Sequence, residues 1–215
     1  MSRRGSWRSS FGAGLLATAA WLAGCASTPA PAWHSLVPAA AAVTPAVAAS
    51  RPGRTPLKVA IGAVSLPDEV DRAPLVLRGT GGALAVLDGD RWAEPLKAQL
   101  PRAIALAIGQ RLPGAVVGSE PNRALLQPDW RVAIDVQRFE LQRGGPDQAV
   151  LRVVWVLRPG FVREGTEPGA APAQVFEVAV PAQGGSTAAL VAAMAAAVAQ
   201  LSGQISQSLC PAGAC

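Results

Sequence analysis

The chain has 215 residues, half of them hydrophobic and only 15% charged, which excludes a highly charged disordered chain and leaves room for one packed domain plus accessory segments. The formal charge of +5 does not point to nucleic acid. Arg3, Arg4 and Arg8 fall in a segment expected to be removed, leaving 16 basic against 14 acidic residues and no basic run interleaved with aromatics.

Residues 1–10 carry three arginines and no acid, and residues 11–23 form an apolar run of 13 that leads into Leu22-Ala23-Gly24-Cys25. A positive start, a short apolar stretch and small residues at a cleavage point make a signal peptide, residues 1–24. A bilayer span needs about 20 apolar residues, so the run is too short to serve as one. Leu-Ala-Gly-Cys matches the bacterial lipobox, which implies diacylglycerol on the Cys25 thiol and cleavage between Gly24 and Cys25. The chemistry needs a thiol nucleophile and small neighbours that admit the peptidase. The Arg3-Arg4 pair is a weak twin-arginine signal, because Gly5 and Ser6 do not continue that motif, and the general export route is expected. Ala26, in place of aspartate, favours the outer membrane under enteric-type sorting.

Residues 26–56 contain six prolines and ten alanines. Such a stretch buries little and favours extended backbone, so residues 25–56 are expected to form a tether of up to roughly 90 Å. The island Trp33-His34-Ser35-Leu36-Val37 interrupts it and suits a short strand docked on the domain. The domain itself is expected over 57–209, with a cysteine-containing tail at 210–215.

Alternation over Leu57–Leu66 reads as a strand. Residues 75–78 and 83–87 read as a hairpin around Gly79-Thr80-Gly81-Gly82. A phosphate cradle is rejected there because no helix start follows the glycines. Asp90 is placed to cap the next helix and Pro95 to sit in its first turn. Leu96, Leu100, Ile104, Ile108 and Leu112 form one apolar stripe, and Pro101 is expected to kink or restart the helix. Strands follow at 130–141, 149–157 and 174–180. A final helix over 186–209 carries Leu190, Met194, Val198, Leu201, Ile205 and Leu209 on one face. Its glutamines make it a core helix rather than a membrane span. Hairpins between strands, with helices set apart, predict an α+β domain whose mainly antiparallel sheet carries two principal helices.

The segments DRAPLVLR, LAVLDGDRWAEPLKAQLPRAIALAIGQRL and PDWRVAIDVQRFE together resemble the ABC-type transport auxiliary lipoprotein family. The phrase Arg91-Trp92-Ala93-Glu94-Pro95-Leu96 is the most specific part, followed by Val132, Asp135, Val136 and Phe139. Trp33-His34-Ser35-Leu36 stands where the family has an aromatic-rich first strand, here without tyrosines. The resemblance implies a non-enzymatic accessory to an intermembrane lipid transport system. It further implies an MCE-domain partner, homo-oligomerisation, and no cofactor beyond the lipid on Cys25. A stand-alone module for an apolar ligand and an envelope scaffold are the alternatives.

No metal site of several His or Cys ligands is expected, since His34 is the single histidine and lies in the tether. Asp68, Glu69, Asp71, Asp88, Asp90 and Glu94 gather near loops and a helix start, where acids are commonly solvated or capping. Cys210 and Cys215 form an even pair in an oxidising compartment, and a structural disulfide is favoured over free thiols. Trp92 is expected in the core, with Arg91 pairing Asp90 or Glu94. The alternative places Asp90, Arg91, Trp92, Glu94 and Pro95 at a subunit interface.

Overall fold

The computed structural model describes residues 30–37, 55–160 and 172–210. The chain divides into two compact units, Met1–Ala30 and Pro31–Cys215. Apart from Ala30, the first unit lies outside the described residues, and with it the expected signal peptide, Gly24 and Cys25. Cys215 lies outside them as well.

The second unit contains β1 (Ala32–His34), β2 (Lys58–Ser65), β3 (Pro74–Arg78), β4 (Leu84–Trp92), α1 (Leu96–Arg111), β5 (Val116–Ser119), β6 (Trp130–Gln142), β7 (Gln148–Pro159), β8 (Gln174–Pro181) and α2 (Thr187–Leu209). All eight strands join one sheet. β6 is its spine. One edge of β6 pairs along its length with β7, and β7 pairs with β8, both antiparallel. The other edge is shared: Trp130–Asp135 takes β2 and Leu141–Gln142 takes β3, both parallel. β5 extends the sheet beyond β2, and β4 followed by β1 extends it beyond β3.

The α+β class and the two principal helices agree with expectation, but the sheet is mixed rather than mainly antiparallel. Four of its seven pairings are parallel. The hairpin-like neighbours β3–β4, β6–β7 and β7–β8 are antiparallel. The parallel pairs join strands far apart in sequence, whose relative direction no local turn dictates. β5 was not anticipated: four residues between a helix and a loop carry too little periodicity to read.

β6 shows how alternation survives an irregularity. Val132, Ile134 and Val136 face the core, then Gln137 is an extra residue without a register partner, and Phe139 and Leu141 take over the core face. A bulge of this kind shifts the phase by one. The Gln137 side-chain oxygen accepts from Arg152 Nε at 3.1 Å.

Both helices contribute to one core. α1 packs on β2 and β5, α2 on β7 and β8, and the helices touch each other. Leu96, Leu100, Ile104 and Ile108 are buried, as are all six apolar-stripe residues expected in α2. α2 is long and apolar enough to cross a membrane by length and composition, and its stripe is spent on this core. Ser186 caps it, its Oγ accepting from the Ala189 N–H at 3.1 Å. α1 runs through Pro101 as one helix, so of the expected kink or restart the restart does not occur. Proline removes the hydrogen bond to the Lys97 carbonyl, while buried Leu96, Leu100 and Ile104 hold the turns on both sides against the sheet. The N-cap is Pro95, not Asp90, which remains within β4.

The sheet face away from the helices carries a ladder of alternating charge. Arg78 lies 2.6 Å from Glu69 and 3.2 Å from Glu140. Arg138 joins Glu140 at 3.0 Å to Glu177 at 3.1 Å, and Arg152 meets Glu177 at 2.8 Å. Burial pushes the Glu140 carboxyl up. Hydrogen bonds from Arg138 and Gln142, with the charges of Arg138 and Arg78, overcome that and hold it below its ordinary value.

Candidate functional site

The most specific sequence phrase forms a corner where β4 hands over to α1. Trp92 ends the strand and turns inward, 4% exposed, with its ring edge-on to Phe139 at 6.0 Å. Three residues later the Pro95 carbonyl accepts from the N–H groups of Ala98 and Gln99, which starts the helix. The fixed φ of proline suits this entry. Glu94 lies outside, both its oxygens 2.8 Å from Arg102. Arg91 pairs with neither expected acid; its Nε reaches the Asp88 carbonyl at 3.5 Å.

The island Trp33-His34 is β1, running parallel beside Asp90–Trp92. The Ala93 N–H donates to the His34 carbonyl at 2.8 Å. His34 is therefore held in the sheet rather than in a tether. Its Nε2 lies 2.6 Å from Asp90 Oδ1, which is the role Asp90 takes in place of capping. The expected domain start at 57 consequently lies after the first strand of the sheet, and β1 begins seven residues after Cys25.

A residue that sequence reasoning missed locks this corner. Gln99 is fully buried. Its Oε1 accepts from the Leu36 N–H at 3.0 Å, and its Nε2 donates to the Glu94 carbonyl. The amide thus ties the chain after β1 to the turn before α1, while Leu36 is buried in the core beside it. The signal was positional. Gln99 follows Leu96 at i+3 and adjoins Leu100, so it sits on the apolar stripe rather than opposite it.

Beside the corner lies a cleft of about 390 Å³, walled by Trp33, Ala73, Trp92, Ala93 and Pro95, with Arg72 at its margin. Asp71 and Glu94 also reach it, each tied to a cation: Asp71 to Lys97 at 2.5 Å and Glu94 to Arg102. The hydrogen bond and charge of Asp71 raise the Lys97 pKa above its ordinary value. The arrangement offers an aromatic and aliphatic wall that also carries Arg72 and the two paired acids.

The six acids noted in the sequence do not converge. Glu69, Asp71 and Glu94 each sit in a separate ion pair, Asp90 is in hydrogen-bond contact with His34, and Asp68 and Asp88 are exposed. No group of three or more His, Cys, Asp or Glu among the described residues is arranged to hold a metal. Cys210 is buried at the end of α2 and is disulfide-bonded, while its expected partner Cys215 lies outside the described residues.

Comparison with solved structures agrees with this architecture. An uncharacterized protein of known crystal structure superposes with a TM-score of 0.62 at 18% identity, covering 84% of this chain and 99% of its own. Protein XCC0632 from Xanthomonas campestris superposes with a TM-score of 0.57 at 24% identity, covering 71% of this chain and 82% of its own. At these identities the likeness is one of fold. Comparison with curated proteins returns no match. The family model for the ABC-type transport auxiliary lipoprotein component matches residues 39–206, a span that includes the Arg91–Leu96 corner, all of α1, α2 as far as residue 206 and every strand after β1. The chain belongs to the ABC-type transport auxiliary lipoprotein family.

Proposed function

We propose that this protein is a non-enzymatic accessory lipoprotein of an intermembrane lipid transport system, working beside an MCE-domain protein. The mature chain begins at Cys25, carries diacylglycerol there, and is held on the outer membrane with its folded unit facing the periplasm. Copies of the chain associate with one another, and Cys210 pairs with Cys215 to close the end of α2. The family match over residues 39–206 is the observation that carries this reading. The engaged carboxylates support the non-enzymatic part, since four of the six are held by separate side-chain partners.

The test is native purification from the protein's own host after gentle extraction, with co-purifying proteins identified by mass spectrometry and a Cys25→Ala form as the anchoring control. Recovery of an MCE-domain protein is expected. The apolar cleft beside Trp33 favours a second reading, a module that binds an apolar ligand by itself. Phospholipid extracted with the protein, in the repeated absence of any MCE-domain partner, would favour that reading over the first.

A further inference from the structure

Trp33 is 60% exposed, whereas Trp92 and Trp155 are 4% and 1% exposed. It stands on a strand of three residues at the margin of the sheet. β4, the strand it flanks, also exposes Leu84 and Val86, at 46% and 45%. Indole rings favour the boundary between lipid headgroups and acyl chains, because one edge is apolar and the other donates a hydrogen bond.

Chain length narrows what Trp33 meets. Only residues 26–31 separate Cys25 from β1. Seven peptide steps span at most about 25 Å, so a lipid on Cys25 keeps the β1 edge within that distance of the lipid layer. The β5 and β8 edges have no comparable constraint. Two guanidiniums stand at this edge beside exposed Asp88, and they supply donors for lipid phosphates. Arg72 lines the cleft next to Trp33 and forms no ion pair among the described residues. Arg91 is the register partner of Trp33, so both side chains lie on one face. The two acids of the cleft are already matched by Lys97 and Arg102.

We infer that the β1 edge is a membrane-docking surface: Trp33 enters the headgroup region of the lipid layer that holds Cys25, and Arg72 and Arg91 meet its phosphates. The inference rests on the reading of Cys25 as lipidated. It adds an orientation, with the β1 edge down, and a second contact that supplements the acyl chains.

The experiment uses full-length protein purified from membranes and reconstituted into vesicles of phosphatidylethanolamine and phosphatidylglycerol, with and without doxyl-labelled lipid. Mass spectrometry of the N-terminal peptide comes first. An unlipidated Cys25 overturns the reading beneath the inference and is distinguished in that way from failure of the docking itself. With lipid present, doxyl quenching is expected to remove a component of tryptophan emission that Trp33→Phe lacks, and Arg72→Ala with Arg91→Ala is expected to weaken that quenching. Trp33 is exposed, so Trp33→Phe leaves the fold intact, checked by circular dichroism. Trp33 emission quenched by aqueous acrylamide but untouched by doxyl lipid would show the edge facing water and overturn the proposal. Shielding of Trp33 from acrylamide in lipid-free protein would mean that a second copy or another protein covers it, which also overturns the proposal.

Discussion

The two sides of β6 are held by different means. Toward β7 the backbone does most of the work: the antiparallel ladder runs from Trp130 to Gln142, closed by a short turn, with paired charges across the outer face. At the far margin, β1 meets β4 over three residues only. There the attachment depends on side chains: buried Leu36, the Gln99 amide, and His34 against Asp90. The difference teaches that a short edge strand with few ladder bonds relies on a buried polar staple.

The largest effect tests what the two sides share. Trp92 and Trp155 belong to one buried cluster. Replacing either by alanine is expected to cost about 3–5 kcal/mol in thermal or chemical denaturation. If Trp92→Ala instead dissolved an oligomer while the monomer kept its melting temperature, the corner would be an interface and the shared core a mistake.

Gln99→Leu separates the two sides. It leaves the Leu36 N–H and the Glu94 carbonyl without their partner, at a cost of about 1–3 kcal/mol. Hydrogen exchange at the Leu36 amide should accelerate while the β6–β7 ladder amides keep their protection relative to global stability. Equal loss on both sides would mean that β1 is no separate unit of stability.

Asp90→Ala is expected to be milder, about 0.5–1.5 kcal/mol, because the His34 pair is partly solvated and the ladder bond from Ala93 survives. Limited proteolysis after residue 37 measures it, with cleavage expected to rise in the variant and the β6–β7 side unaffected.

The smallest effect is on the ladder side and depends on pH. Glu140 has a folded pKa below its ordinary value of 4.5. Its contribution is therefore complete above about pH 4.5 and is lost as pH falls through the lower folded value. Partial solvation of Arg138 limits the size to about 0.5–1 kcal/mol. Denaturant midpoints from pH 6 to 2 should fall less steeply in Glu140→Gln than in the parent, after global acid effects are matched. An unchanged slope would show that the charge ladder adds nothing to stability.

Much of the domain is written in local pattern. The stripes of α1 and α2, the alternation at 130–136 and the glycine turn after β3 each mark a face or a bend, and the structure places elements there. The motif phrase identified the family without any fold. Other features have partners that no local pattern names. Gln99 looks like a surface residue until the chain after β1 arrives against it. Arg91 seemed destined for Asp90 or Glu94, yet His34 and Arg102 occupy those acids.

The sequence by itself determined which residues turn inward, where helices and hairpins form, and that this chain carries the family's phrase and a lipobox. Tertiary structure alone decided that β2 and β3 share one edge of β6 in parallel, that β5 is a strand, and that the expected strand at Ala32–His34 pairs with Asp90–Trp92 of β4. The physical reason is that periodicity records whether a side chain is buried and not what buries it. Partners distant in the chain are chosen only when the whole set of faces closes on one core.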